Sequence, residues 1–295
     1  MSVSVNEPLK NKIAEQLNLF YLALSFFTRL PVPKNMHYSE ALLNKANRYF
    51  SLVGLLTGGL LALSYVCFST FLPANIAILL MMAISLLLTG AFHEDGLADM
   101  ADGVGGAFTI DKRLTIMKDS RIGTYGAVTL VITLLLKYTL LVNLAEQDSN
   151  HLLLAIVLAE VLSRAVAGSL ISSLPYVSDI EQSKSKPLAQ AQSSSELALL
   201  LLIGITPLIF YSSEVIFTLL IILMLFRALF KRWLMAKLGG FTGDCLGAGQ
   251  QLSELLIYLT LVAYINKDVV IELALTGHHF MGHSFTGYSF IGIVG

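Results

Sequence analysis

The chain has 295 residues, of which 55% are hydrophobic and only 13% charged, and its formal net charge is −1. Soluble domains carry about a quarter charged residues, so this composition excludes an ordinary soluble protein and indicates a polytopic membrane protein. Because the charges are nearly balanced and form no long basic run, we expect a lipid bilayer and no nucleic acid among its partners.

The first predicted element is a helix over Lys10 to Leu30. Its second half is apolar, whereas charged residues stand near both ends. This pattern is typical of a helix that lies in the membrane interface or is only partly embedded.

Seven apolar runs follow, each near the length of roughly 20 residues that a spanning helix needs. No soluble domain fits between them, so we predict an all-α, polytopic integral membrane helix bundle with about seven transmembrane helices plus the N-terminal interfacial helix. The runs are Phe50 to Phe71, Ile76 to Phe92, Gly123 to Ala145, Leu152 to Leu174, Leu197 to Tyr211, Val215 to Trp233 and Leu252 to Ile265. The Ser-, Gln- and Lys-rich stretch Pro175 to Ser195 is the one connection that reads as a linker.

Lysine and arginine occur in alternate connections between these runs, as expected when they collect on the cytoplasmic side. The connections "LPAN", "EQDSNH" and "SSE" have neither residue, whereas the intervening ones do. The rule therefore predicts a multi-pass membrane protein with a defined orientation. It places the N-terminus, an acidic stretch and a glycine-rich stretch on the cytoplasmic side, where they can form one active site.

The acidic stretch is "FHEDGLADMADGVGG", Phe92 to Gly106, with four carboxylates in nine positions. On a helix, Asp95, Asp99 and Asp102 share one stripe, and Glu94 lies beside it. Carboxylates this close repel one another unless a cation lies between them, and hard oxygen ligands suit Mg²⁺, Mn²⁺ or Ca²⁺. A solvated helix end is the alternative, but no Lys or Arg stands between Phe92 and Asp111 to balance the acids. We therefore expect Glu94, Asp95, Asp99 and Asp102 to hold a divalent metal.

Glycines within and after this stretch predict close approach of the backbone to a phosphate. The next segment, "KDSRIGTYG", adds Lys118 and Arg121 before a helix start, a favourable place for an anion. The third segment, "LGGFTGDCLGAGQQLSE", holds Asp244 among five glycines. It is either a flexible loop or a further part of the same site.

Charges inside the spans are interpreted separately. Glu160 and Arg164 are spaced at i, i+4 and can neutralise each other. Lys137 has no evident partner in the sequence.

Together these motifs, preceded by "FFTRLPVP" and "RYFSLVG", closely resemble the cobalamin (5′-phosphate) synthase family, the adenosylcobinamide-GDP ribazoletransferases. The resemblance runs from about Phe26 to about Glu254. It implies a Mg²⁺-dependent transferase of the final steps of cobalamin biosynthesis, located in the bacterial inner (cytoplasmic) membrane. The enzyme joins adenosylcobinamide-GDP to α-ribazole or α-ribazole 5′-phosphate and releases GMP. Oligomerisation is left open.

With that reaction in mind, we expect Asp99 and Asp102 to be catalytic, with Asp102 as an alternative acceptor of the hydroxyl proton. Lys118, Arg121, Arg29 and Asp244 are the expected phosphate-binding residues. We predict one catalytic domain over residues 1–267. Residues 268–295 depart from the family pattern and are predicted to be an atypical C-terminal extension.

Two other functions are compatible with acids at a membrane boundary. The first is a CDP-alcohol phosphotransferase-like lipid synthase, although "DGLADMADG" lacks that family's Arg after Asp-Gly and its longer Gly-to-Asp spacing. The second is a cation-coupled transporter, which would place its acids near the membrane midplane, often within inverted repeats.

Overall fold

The computed structural model describes residues 7–177 and 192–276, and these ranges are almost entirely α-helical. Within them the backbone forms no strand beyond an isolated parallel bridge between Tyr176 and Phe241. Short 3₁₀ turns over Asn47–Tyr49 and Thr206–Phe210 supplement the α-helices. The helices are α1 (Glu7–Phe27), α2 (Glu40–Ala46), α3 (Phe50–Ser69), α4 (Ala74–Thr89), α5 (Phe92–Gly106), α6 (Ile110–Met117), α7 (Thr124–Gln147), α8 (Ser149–Ser169), α9 (Ser194–Ile205), α10 (Ser213–Leu238) and α11 (Gly243–Thr276).

The prediction of an all-α membrane protein is confirmed, and each of the seven apolar runs contains a helix. Five segments of the described chain are long and apolar enough to cross a bilayer, and α4 joined to α5 makes up to six. The helix α9 has 12 residues, and the 3₁₀ turn that follows it extends the segment only to Phe210. This segment is therefore shorter than the helices that can span a bilayer. The structure therefore supports five or six spans, and not a definite seven.

The second predicted span ends earlier than expected. The helix α4 stops at Thr89, and Gly90 and Ala91 both adopt left-handed backbone angles, with φ of 67° and 57°. Alanine in this region costs roughly 1–2 kcal/mol, so the surrounding structure must hold it there. The chain consequently turns by 84° between α4 and α5, and the acidic stretch forms a helix of its own.

The central helices are α8 and α11, because 83% and 78% of their most apolar windows are buried inside the protein. The corresponding windows of α7 and α10 are only 28% and 22% buried, so these helices present apolar side chains outward, as lipid-facing helices do. The helix α1 buries Leu19, Leu22 and Phe27 in a core shared with α2 and α3.

The predicted glycine-rich loop is mostly helical. The helix α10 ends at Leu238, the left-handed Gly239 (φ 77°) reverses the chain, and α11 begins at Gly243. The glycines that follow lie in helix–helix contacts: a Cβ on Gly247 would lie 3.1 Å from the carbonyl oxygen of His93. Most of the predicted linker, residues 178–191, lies outside the described residues, as do residues 277–295 of the predicted C-terminal extension.

Candidate active site

The acid stripe lies on α5, next to the N-terminal ends of α7 and α11. Along it the exposure changes: Asp95 is exposed, Asp99 is half-buried and Asp102 is buried. The predicted spacing on one stripe is thus realised, but its C-terminal end is covered by protein.

Asp102 is covered because it binds the start of α7. Its two carboxylate oxygens accept hydrogen bonds from the backbone amides of Gly123, at 2.7 Å, and Gly126, at 2.8 Å. A Cβ at either glycine would overlap the Asp102 carboxylate, so both positions require glycine. A negative charge at a helix N-terminus is also favoured by the helix dipole. The observed role of Asp102 is therefore to anchor α5 to α7.

Asp244 lies in the first turn of α11, against α5. A Cβ on Gly96 would lie 2.8 Å from the backbone carbonyl oxygen of Asp244, so glycine permits this close crossing. The hydroxyl of Thr242 donates to the Asp244 carboxylate at 3.2 Å. Asp244 thus lies within one helical turn of Asp95 and Asp99 along α5.

Glu94 points away from this group of aspartates. It is buried, and its Oε1 accepts a hydrogen bond from Nε2 of Gln251 on α11 at 3.1 Å. Its Oε2 is buried and has no hydrogen-bond partner in the described residues. The structure therefore separates Glu94 from the acids with which the sequence grouped it.

The metal-binding prediction remains a prediction. In residues 7–177 and 192–276, no three His, Cys, Asp or Glu side chains converge closely enough to hold a metal ion. Mg²⁺, however, is usually bound through one or two carboxylates plus substrate phosphates, not by an all-protein cage. Asp95, which is exposed, and Asp99, which is half-buried one turn along α5, supply two such carboxylates, and this pair fits such a partial site.

The predicted basic residues flank the stripe at both ends. The Arg29 guanidinium packs against Gly90, where the chain turns into α5. Lys118 and Arg121 are exposed in the connection that leads to Gly123. The guanidinium and the backbone amide of Arg121 both donate to the Asp119 carboxylate, the shortest of these hydrogen bonds being 2.6 Å. They lower the pKa of the Asp119 carboxyl to about 2 and raise the pKa of Arg121. Both groups are therefore charged near neutral pH.

The glycines of the acidic stretch have a packing function that was not predicted. A Cβ on Gly103 would lie 2.9 Å from the carbonyl oxygen of Arg113 on α6, and one on Gly105 would collide with the Tyr125 ring. Together with Gly96, they allow close helix packing, and the approach of a phosphate to this backbone stays a prediction. The packing partners of these glycines lie ten or more residues away in the sequence, so no local sequence pattern indicates the contacts.

One buried ion pair was not predicted from the sequence. Lys137 pairs with Glu254 across α7 and α11 at 2.6 Å, and both side chains are buried. In the sequence, each of these two residues is a single charge in or beside an apolar run. Their pairing depends on how α7 packs against α11, which the sequence does not show. By contrast, the local pair Glu160–Arg164 was predicted by spacing and is confirmed at 2.7 Å.

Comparison with known proteins gives a consistent result. Residues 19–262 match the family model described as cobalamin-5-phosphate synthase. Relatives named adenosylcobinamide-GDP ribazoletransferase include one from Vibrio vulnificus, 60% identical over 251 residues, which is 85% of this chain and 98% of the relative. The relative from Vibrio cholerae is 54% identical over 87% of this chain and 97% of its own length. The relative from Shewanella pealeana is 51% identical over 84% of this chain and 96% of its own length. No solved structure matches the chain.

Proposed function

Because the chain belongs to the cobalamin-5-phosphate synthase family, and is thus a membrane enzyme of cobalamin synthesis, we propose that it is a Mg²⁺-dependent adenosylcobinamide-GDP ribazoletransferase. It joins adenosylcobinamide-GDP to α-ribazole or its 5′-phosphate and releases GMP, giving adenosylcobalamin or its 5′-phosphate. The site faces the cytoplasm, and the membrane is the bacterial inner membrane. The charge distribution between the spans supports this orientation.

One observation carries the proposal beyond family membership. The helix α5, which carries Asp95 and Asp99, packs at Gly96 against the N-terminal turn of α11 and at Asp102 against the N-terminal end of α7. Asp102 already engages the α7 amides of Gly123 and Gly126, so the N-terminus of α11 is the one assigned to attract a phosphate group, and carboxylates recruit the cation that such a group requires. A pyrophosphate substrate needs both features in one place.

The reaction exchanges one phosphorus–oxygen bond for another. A ribose hydroxyl oxygen of the ribazole, the 3′ one by product connectivity, attacks the phosphorus nearest the corrinoid. The bond from that phosphorus to the bridging oxygen breaks, GMP leaves with that oxygen, and the hydroxyl proton passes to a base. Bound Mg²⁺ would neutralise the pyrophosphate oxygens and the charge that develops on GMP.

The protein residues divide this work. We assign Asp95 and Asp99 to hold the cation together with the substrate phosphates. Asp244, whose backbone crosses α5 at Gly96, contributes to phosphate binding through that cation and not directly. Both oxygens of Asp102 accept hydrogen bonds from α7 amides, so we assign Asp102 the anchoring role. We assign the reactive role to Asp99, the half-buried carboxylate one turn before it on the same stripe. Arg29, Lys118 and Arg121 orient the phosphates from the two ends of the stripe.

The test is an assay of the purified full-length protein in lipid vesicles. Adenosylcobinamide-GDP and α-ribazole 5′-phosphate are added with Mg²⁺ or with a chelator, and GMP and the corrinoid product are measured by chromatography and mass spectrometry. We expect equal amounts of both products, only with Mg²⁺. Parallel reactions replace adenosylcobinamide-GDP with a CDP-alcohol, or measure uptake of the labelled corrinoid. Activity with the CDP-alcohol alone, or uptake without GMP release, would overturn the proposal.

A further inference from the structure

A buried polar cluster lies beside the acidic helix, within the bundle. At its centre, Nζ of Lys137 is 2.6 Å from Oε1 of Glu254, and their side chains are 7% and 1% exposed. Gln250 donates to Glu254 at 3.2 Å, and Gln251 donates to Gln250 at 2.9 Å and to Glu94 at 3.1 Å. A continuous set of contacts therefore leads from Lys137 on α7, across α11, to Glu94 on α5.

Stability alone does not account for such a cluster. Burying an ion pair costs much of what the pairing returns, and well-packed apolar side chains often do as well or better. Ionisable residues inside membrane helices are expensive in the same way, and they commonly serve a function. Yet Lys137 and Glu254 are buried, so they are not placed to contact a water-soluble substrate. Their effect must reach the site through other residues.

The contacts join three helices in a closed triangle. Asp102 ties α5 to α7, the Lys137–Glu254 pair ties α7 to α11, and the Gln251–Glu94 contact ties α11 back to α5. The three helices are those that carry the acid stripe, the amides binding Asp102, and Asp244. The triangle thus contains every element of the proposed cation site.

The two attachment points on α5 determine its orientation. Glu94 and Asp102 are eight residues apart, which on a helix is about 12 Å along the axis and about 80° around it. Two attachments with this separation restrict both rotation and sliding of the helix. Asp95 and Asp99 lie on the same stripe as Asp102, so holding Asp102 and Glu94 also fixes the direction in which Asp95 and Asp99 point.

We propose that Lys137, Glu254 and Gln251 are positioning residues, which fix the rotation of α5 and thereby hold Asp95 and Asp99 beside Asp244. The proposal rests on the proposed transferase function for its kinetic consequence, but its structural part can be tested separately. A displacement of about 1 Å at a reacting group can reduce the rate about 100-fold.

The kinetic test uses the variant Lys137→Met/Glu254→Gln, which removes both charges of the ion pair together. We expect thermal stability close to that of the wild type, a kcat lower by about 10- to 100-fold, a higher Mg²⁺ requirement and nearly unchanged KM values. The matched control is Lys267→Met/Glu214→Met. That pair is also Lys–Glu and also involves α11, but it is exposed (57% and 58%). It should leave stability and kcat unchanged.

The second measurement does not depend on activity. In a Cys67→Ser background, single cysteines replace Asp95, which is exposed, or Ala98, which is 4% exposed, and a water-soluble maleimide labels them. With the pair Lys137–Glu254 intact, we expect rapid labelling at position 95 and protection at 98. In the double variant the difference should shrink by at least about threefold, since a rotated α5 exposes position 98.

The outcomes separate the two proposals. A double variant with wild-type kcat and an unchanged labelling pattern would overturn the positioning role, as would a loss of kcat with that pattern unchanged. If the wild type shows no turnover, the transferase proposal fails, while the labelling still decides whether the pair orients α5. Should the double variant not fold, Gln251→Leu, which breaks only the α11–α5 contact, is judged by the same two measurements.

Discussion

The two ends of the helix bundle differ: one contains a cavity, and the other contains a cluster of carboxylates. At the end opposite the acid stripe, a cavity of about 430 Å³ lies among Leu144, His151, Tyr211 and Tyr264. Helices there are joined by short capped turns, as where Asp148 accepts from the amide of Asn150. At the acidic end, Asp102 instead accepts hydrogen bonds from the N-terminal amides of α7, and the N-terminal turn of α11 packs closely against α5. The proposed site therefore follows the convergence of charged groups with helix N-termini, and it does not coincide with this cavity.

The largest effect is expected from removing one carboxylate of the acid stripe. Asp99→Asn should lower the rate of GMP release by at least about 100-fold, because several kcal/mol of transition-state charge stabilisation are lost. Glu146→Gln, at the opposite end of α7, is the control and should retain full activity. Both variants should insert and purify as the wild type does. Retained activity in Asp99→Asn would remove this residue from the mechanism.

Glycine substitutions test the close packing at the acidic end. Gly126→Ala places a Cβ within the Asp102 carboxylate, so we expect a loss of about 1–3 kcal/mol in stability and reduced activity. Gly59→Ala is the matched control, because no atom lies within 4 Å of the added Cβ. Thermal unfolding in detergent compares them. Equal melting temperatures would contradict the crowded contact between α5 and α7.

Asp102→Asn separates anchoring from chemistry. The amide can accept from one glycine N–H, but its NH₂ group would face the other, at a cost of about 1–2 kcal/mol. We expect lower thermal stability, with a smaller loss of kcat than in Asp99→Asn. A variant as stable as the wild type but inactive would instead support the alternative role of Asp102 as proton acceptor.

The smallest effect is expected at the exposed Asp119–Arg121 pair. The folded-state pKa of Asp119, about 2, lies below the ordinary value of about 3.9. Its contribution is therefore complete above about pH 4 and is lost as the pH falls through about 2. Melting temperatures of the wild type and Asp119→Asn should differ slightly, and by the same amount at pH 5 and pH 8. A difference that changes between these values would contradict the assigned pairing.

Much of the fold could be predicted because membrane insertion imposes strong local rules. Apolar run length identified every spanning candidate, and the i, i+4, i+7 spacing placed Asp95, Asp99 and Asp102 on one stripe. The same local logic predicted the Glu160–Arg164 pair. It did not reveal the 84° turn at Gly90 and Ala91, since an alanine in the left-handed region carries no sequence signal.

The sequence by itself determined the class of protein, the acid stripe and the resemblance to the family, because hydropathy, helical periodicity and motif order are properties of the chain. Only the tertiary structure decided that Asp102 binds two α7 amides, that Glu94 turns toward Gln251, and that Lys137 meets Glu254. The reason is physical: each depends on which helices approach one another and at what rotation. That is set by packing between residues more than twenty positions apart, which no local pattern encodes.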